Sequence, residues 1–359
     1  MHKFFILLDM KKVVVGISGG VDSAVTAHRL KAEGYEVIGV HLKITEDTVV
    51  PTSKLRLIRE RIDIPVTVID GSKIFREVVI EAFRNDHLAA RTPSPCATCN
   101  PQLKWRLLFD FADAAHAAYT ASGHYIQKVC VHGNWYLKQA VDPVKDQSYF
   151  LWGLGQKYLD RIITPLGNIN KEEVKQYANK IGLGALTKQK ESKGLCFSNG
   201  LTYSKLLQKY IPEATRITKG SAIDKNGNKI GTHQGYIYYT IGQKRGIDYF
   251  DSIKSNLCVI KINAEKNELV IGNDNDLWSG EFIIDDCHFI DEYKVLSSSQ
   301  LELKVRGVGR NPGGYAQLEK MSRHKYRVLL NQPAWAMAPG QPVVFYENKL
   351  LLGGGIMVQ

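Results

Sequence analysis

The stretch Val13–Val25, VVVGISGGVDSAV, decides the fold. Its opening valines read as a β-strand buried on both faces. The strand ends at Gly16-Ile17, and Ser18-Gly19-Gly20-Val21-Asp22-Ser23 then runs into the helical pattern AVTAHRLKAEG, which Gly34 stops. Glycines at such a strand–helix turn let the backbone approach an anion, while the unpaired N–H groups and dipole of the helix start favour phosphate there. The loop lacks the Lys-Ser/Thr pair of a Walker A motif and the spacing of GxGxxG, so it is neither of those phosphate binders.

Outward from this loop, strand and helix patterns take turns. YEVIGVHLK reads as a strand, SKLRLIRERI as a helix, IPVTVID as a strand and KIFREVVIEAFRND as a helix; after a cysteine-bearing loop come the helical QLKWRLLFDFADAAHAA and the strand AYTASGHY. This alternation predicts a doubly wound parallel α/β sheet, with the glycine loop following the first strand, where the switch-point rule puts a ligand. KVCVHGNWYLKQA reads as a hairpin turning at His132-Gly133-Asn134, and NKEEVKQYANKIGL and TYSKLLQKYI as helices. Beyond Pro212 short strands and turn signals dominate, as in GSAIDKNGNKIGTHQGYIYYTIGQ, which implies two small β-rich or β-barrel modules. The expected domains are 1–204, 205–275 and 276–359.

Bulk properties narrow the class. A chain of 359 residues exceeds one ordinary core, which agrees with several domains. A net charge of +11 favours a polyanionic partner such as nucleic acid. Six cysteines are too sparse for a disulfide scaffold at this length. The N-terminal MHKFFILLDMKK has too short an apolar run for a secretory signal, and no stretch approaches the roughly 20 apolar residues of a membrane span. A cytoplasmic address is expected, with no membrane partner.

The segment RTPSPCATCNPQLKWRLL places Cys96 and Cys99 three apart, and admits a zinc clip, a redox pair or a reactive nucleophile. A zinc clip needs two more ligands at similar spacing, and the chain has no second CxxC, so no metal site is assigned. Asn100-Pro101 reads as N-cap and first helical residue, which would put Cys99 at the positive end of a helix dipole and lower its thiol pKa. Cys196 lies in the Gly-flanked KQKESKGLCFSNG beside Lys188, Lys190 and Lys193, whose ammonium groups would also favour a thiolate. Two activated loop cysteines far apart in sequence suit sulfur transfer. Cys130, Cys258 and Cys287, in strand-like stretches, read as small packing residues.

SGGVDS resembles the PP-loop of ATP pyrophosphatases, which cleave ATP between the α- and β-phosphates. That class includes amide-forming ligases and RNA-modifying enzymes, and fold alone does not separate them. With GISGGVDSAV, RTPSPCATCN, ASGHY, KDQSYFLWGL, PLGNINKEEVKQYA, GLCFSNG, IGTHQGYIYYTIGQKRGI and APGQPVVFYENKLLLGGGI in order, the chain resembles the tRNA-specific 2-thiouridylases, which replace the C2 oxygen of the wobble uridine with sulfur. The resemblance implies ATP and Mg2+ as cofactors, the tRNA anticodon region as substrate, and a sulfur-donor protein as partner. It implies that Gly16, Ile17, Ser18, Gly19, Gly20, Val21, Asp22 and Ser23, with Leu42 and Gly123, hold ATP. Cys196 would carry a persulfide and Cys99 would attack it, leaving a Cys99–Cys196 disulfide or releasing sulfide. Ser94, Pro95 and Cys96 would border the target base, and His124, Lys145, Asp146, Gln147, Arg306, Gly307 and Gln341 would meet tRNA. The chain departs from the family pattern in carrying Cys96 where some members have Asp, a shorter segment after VHLK, Lys193 for a usual Gln and Gly307 for a usual aromatic. Two other readings stay open: an amide-forming ligase, which has no use for Cys99 and Cys196, and a tRNA-binding protein that does not thiolate.

Overall fold

The computed structural model describes residues 11–188, 194–250, 256–306 and 311–358. The chain divides into two compact units, one of Met1–Arg76, Thr98–Lys193 and Lys349–Leu351, the other of Glu77–Ala97, Gly194–Asn348 and Leu352–Gln359.

In the first unit, strand β1 (Lys12–Gly16) leads into helix α1 (Val21–Ala32), followed by β2 (Glu36–Lys43), α2 (Thr52–Ile62) and β3 (Val66–Asp70). With β4 (Tyr119–Ser122) and the short strand Ile162–Ile163 they form a sheet in the order β3, β2, β1, β4, Ile162–Ile163. Every neighbouring pair is parallel: Val13 faces Val37 on one side and Tyr119 on the other. Chain order reverses at β1, so the loop after it opens at the switch point, as the sequence pattern predicts. Val13, Val14 and Val15 are wholly buried because helices cover both faces. Val13, Val15 and Ile17 pack with α1, α2 and the helix Lys171–Lys180, through Ala24, Ile58 and Val174. Val14 and Val40 pack on the opposite face with Leu108 and Ala112 of the helix Arg106–Ala114. The hairpin Ile126–Val131 and Asn134–Gln139 turns at His132 (φ 49°) and Gly133 (φ 83°), two left-handed residues whose twist matches the paired strands.

The cysteine segment differs from its sequence reading. Helix begins at Pro95, not Asn100: Pro95–Cys99 is α-helical, Asn100–Trp105 forms π-helical turns and Arg106–Ala114 is α-helical again. Cys99 has helical angles, φ −63° and ψ −40°, and sits one turn inside the helix. Pro95 supplies the pre-set φ of a first helical residue. Pro101, which would break a regular α-helix, falls within the π-helical turns, where the register already slips. The first-turn position expected for Cys99 therefore belongs to Cys96.

The second unit contains two β-sheets. Gly220–Ile223, Lys229–His233, Ile247–Tyr249, Leu257–Asn263 and Glu268–Asn273 make one, whose pairs are antiparallel except Glu268–Asn273 with Gly220–Ile223. The other is built on the long antiparallel pair Trp278–Phe289 and Tyr326–Trp335, with Leu350–Met357 on the far edge of Trp278–Phe289. Its strand Pro342–Glu347 is covered on both faces, with Val343, Val344 and Phe345 wholly buried. A parallel-sheet domain followed by β-barrel modules is thus the architecture.

Candidate active site

The loop after β1 is braced from within. Ser23 Oγ donates to the Gly20 carbonyl (3.0 Å) and accepts from the Ser18 N–H (3.2 Å), while Ser18 Oγ accepts from the Gly20 N–H (3.3 Å). The Ile17 N–H donates to the Val40 carbonyl (2.7 Å), and the buried His41 donates from Nδ1 to the Ile17 carbonyl (2.7 Å). Gly19 adopts φ +84°, and a Cβ there would meet Pro51 at 3.1 Å. Gly20 occupies the N-cap of α1 without a side-chain cap, so no side chain takes the anion's place at the helix start. Gly123 closes the cradle from β4: a Cβ on it would lie 2.7 Å from the Ser23 nitrogen and 2.9 Å from the Asp22 carbonyl carbon. Only glycine lets these backbones approach so closely. Leu42, at the end of β2, is half-buried and packs with the Val14, Val40 and Leu108 cluster.

Three residues absent from the sequence assignment complete this region. Lys171 Nζ bonds both Asp22 carboxylate oxygens, at 2.6 and 2.7 Å, and the Tyr125 hydroxyl donates to Asp22 Oδ1 at 2.7 Å. His41 is the third, through its support of Ile17. One sequence signal pointed to Lys171. A lysine in the first turn of a helix opposes the macrodipole, so a specific partner is expected for it.

The segment 142–148 is a compact loop. Asp146 accepts from the Ala140 N–H (3.1 Å) and the Ser148 hydroxyl (2.9 Å), and Gln147 Oε1 accepts from the Tyr125 N–H (3.1 Å). Asp146 and Gln147 thus hold backbone, and Lys145, half-buried, adjoins them. His124 shares a 2.6 Å hydrogen bond through Nδ1 with Ser122 Oγ and stacks on Trp105 at 6.0 Å. Burial, with the nearby Lys104 ammonium, pushes its pKa down to about 3, so the imidazole is neutral at physiological pH.

In the second unit, Ser94 and Cys96 are half-buried and Pro95 is buried at the helix start, while in the first unit Cys99 is 4% exposed. The approach to Ser94 is clamped. Gln341 Nε2 donates to the Thr92 (2.6 Å) and Pro93 (3.2 Å) carbonyls, and the Thr92 N–H donates to the Pro339 carbonyl (2.7 Å). Thr92 also lines a cavity of about 250 Å³ with His87, Arg91, Tyr203, Tyr236 and Thr240. Cys196 is exposed. Its neighbour Phe197 is buried edge-on against Phe83 (5.8 Å) and Tyr210 (5.4 Å), which anchors the loop and leaves the thiol outward. Lys190 and Lys193 lie outside the described residues, as does Gly307. Arg306 donates to the Ala336 carbonyl and lies over the Trp335 ring at 5.5 Å.

Comparison with known proteins agrees with this architecture. Residues 11–200 match the tRNA methyl transferase HUP domain, 204–273 the tRNA methyl transferase PRC-barrel domain, and 279–357 the aminomethyltransferase beta-barrel domain. A tRNA-specific 2-thiouridylase of Bacteroides fragilis is 36% identical over 97% of this chain and 97% of its own. One of Chlorobium phaeovibrioides is 38% identical over 97% of this chain and 98% of its own. Among solved structures, a 4-thiouridine synthetase–RNA complex with bound ATP overlaps 56% of this chain and 51% of its own, at 15% identity and a TM-score of 0.38. With three family domains in order and near-full-length relatives, the chain belongs to the tRNA-specific 2-thiouridylase family of tRNA sulfurtransferases.

Proposed function

We propose that the protein uses ATP to replace the C2 oxygen of the tRNA wobble uridine with sulfur. The observation that carries this reading is the glycine cradle at Gly16–Ser23, closed by Gly123 and open at the uncapped start of α1, in a chain of thiouridylase kinship. A uridine C2 carbonyl is a poor electrophile and oxide a poor leaving group. Attack of O2 on the α-phosphorus expels pyrophosphate and turns the oxygen into part of AMP, a competent leaving group. Gly16–Ser23, Leu42 and Gly123 hold the nucleotide. Mg2+ bound to the phosphates would screen their charge.

Sulfur then arrives from Cys196. The terminal sulfur of its persulfide attacks C2, and AMP departs with the C2–O bond pair. The Cys99 thiolate attacks the Cys196 sulfur, the S–S bond to the transferred sulfur breaks, and its electrons form C2=S. A Cys99–Cys196 disulfide remains, and a thiol reductant returns it to two thiols. A sulfur-donor protein recharges Cys196, whose exposure suits such delivery. Ser94, Pro95 and Cys96 border the unstacked base. His124, Lys145, Asp146, Gln147, Arg306, Gly307 and Gln341 serve tRNA binding, with Asp146, Gln147 and Gln341 acting by shaping their loops. Residues 1–204 carry the chemistry, 205–275 and 276–359 grip the RNA by shape, and the net charge of +11 draws it in. ATP, tRNA and a thiol reductant together suit the cytoplasm. The test is product analysis with labelled ATP: unmodified tRNA should elicit AMP and pyrophosphate, whereas ADP and phosphate, or turnover indifferent to tRNA, would overturn the reading.

A further inference from the structure

Resting on tRNA thiolation as the function, we propose that the cavity of about 250 Å³ at Thr92 is a nucleobase pocket, which takes the base of a nucleotide adjacent to the target uridine. Two stretches of sequence build it. Left-handed Ala90 (φ 55°) turns the chain out of the helix Glu81–Leu88 and brings Arg91 and Thr92 to the cavity. The short 3-10 helix Tyr236–Tyr238, followed by the extended Tyr239, brings three tyrosines to it. Their hydroxyls are spent on the fold: that of Tyr236 donates to the Leu88 carbonyl (2.8 Å), that of Tyr238 to the Ala214 carbonyl (3.2 Å) and that of Tyr239 to the Gly246 carbonyl. The aromatic walls are thus in place before a ligand arrives. The cavity falls short of the roughly 300 Å³ at which sites for drug-sized molecules begin, and its size suits one base.

The polar groups match a nucleotide. Buried His87, held neutral chiefly by burial, donates from Nδ1 to the Phe83 carbonyl (2.8 Å) and accepts at Nε2 from the Tyr203 hydroxyl (2.6 Å). With its proton committed there, the Tyr203 oxygen offers lone pairs to a base N–H. Tyr203 is 50% exposed, so this side of the cavity is reached from solvent. The Arg91 guanidinium binds Asp86 Oδ1 through Nε (2.7 Å) and keeps its Nη donors for a phosphate. Aromatic faces, an acceptor and a cation are the means by which proteins hold a splayed nucleotide of single-stranded RNA. Position names the nucleotide. Thr92 is fixed to the cavity by a 2.6 Å hydrogen bond between its hydroxyl and that of Thr240, and from Thr92 to Ser94 the chain spans at most about 7 Å. Ser94 opens the segment set against the target base in the proposed function, so a base in this cavity belongs to the next nucleotide of the strand. Drawing the wobble uridine out of its stack frees both neighbours, and a pocket for one of them keeps the strand splayed.

The test is the dissociation constant of unmodified tRNA, measured by filter binding on the full chain and on Tyr203→Ala. Each is also measured with tRNA made abasic at the nucleotide before, or after, the wobble uridine. The unaltered protein should bind about tenfold more weakly to one of the two abasic tRNAs. In Tyr203→Ala that penalty should shrink by about threefold or more, because the wall and acceptor that met the base are gone. Thermal midpoints report folding, and Tyr203→Leu, which keeps the bulk without the ring or hydroxyl, takes the place of an unfolded Tyr203→Ala. Arg91→Gln should reduce the slope of log Kd against log salt by about one. No abasic penalty at either position, a penalty equal in both proteins, or an unchanged salt slope in Arg91→Gln would overturn the proposal. Thiolation of intact tRNA by the unaltered protein, scored on a mercury-containing gel, keeps the two claims apart. Where thiolation proceeds, failed coupling sinks the pocket alone; tRNA neither bound nor thiolated would sink the proposed function, and this inference with it.

Discussion

Gly123 is where a single atom matters most. Adding one Cβ would force it to 2.7 Å from the Ser23 nitrogen, and the neighbours are backbone that cannot swing away. Gly123→Ala should therefore lower stability by about 1–3 kcal/mol and remove ATP-analogue binding, as read by thermal melts and dialysis. Tight analogue binding by that variant would dismiss the close approach. His124 makes a second prediction. Its pKa of about 3 lies below the 6.5 of a free imidazole, so the unfolded chain takes up the proton first. The associated stability is fully present above pH 6.5 and is lost as pH falls from there towards 3. His28, His87, His233 and His288 are also lowered, chiefly by burial, and share that sign. Thermal midpoints should drop between pH 7 and pH 5, less steeply in His124→Gln; a rise in acid would contradict the assignment. The cysteines supply a third, because exposed Cys130 and Cys196 should alkylate first and buried Cys99, Cys258 and Cys287 last. Peptide mass spectrometry across a labelling time course reads the order, and early labelling of Cys99 would contradict its burial.

At the scale of elements, the β1–α1 turn was legible because a valine strand, a glycine loop and a helical period each demand one local geometry. The start of the cysteine helix was not. Asn100-Pro101 and Ser94-Pro95 both carry a capping residue followed by proline, and local chemistry does not rank them. The structure begins the helix at Pro95 and takes up Pro101 in π-helical turns, which a regular helical period hides. Lys171, Tyr125 and His41 escaped for another reason: their partners lie far along the chain, and an ion pair between positions 22 and 171 leaves no periodic trace. Gln341, which the family resemblance singles out to meet tRNA, also grips the Thr92–Pro93 backbone through its amide, a role no sequence pattern announced. Gln341→Ala should lower the urea midpoint by the equivalent of about 1 kcal/mol for each lost bond. An unchanged midpoint would mean that the clamp contributes nothing to stability.

Across the whole molecule, a parallel-sheet domain presents the glycine loop at its switch point, and two β-sheet modules follow it in sequence. Sequence patterns announced this architecture, since alternation of strand and helix and its replacement by short strands after Pro212 are properties of long segments rather than single residues. The chemistry assigned to Cys99 and Cys196 is the claim most exposed to test. Purified protein would be incubated with ATP, Mg2+, a persulfide-charging donor and unmodified tRNA, beside Cys196→Ser and Cys99→Ser. The RNA would then be run on a mercury-containing gel that retards thiolated species. Retardation by the unaltered protein, lost in both variants, is the predicted result; retardation that survives Cys196→Ser, or its absence while tRNA still elicits AMP and pyrophosphate, would contradict sulfur transfer through this cysteine pair.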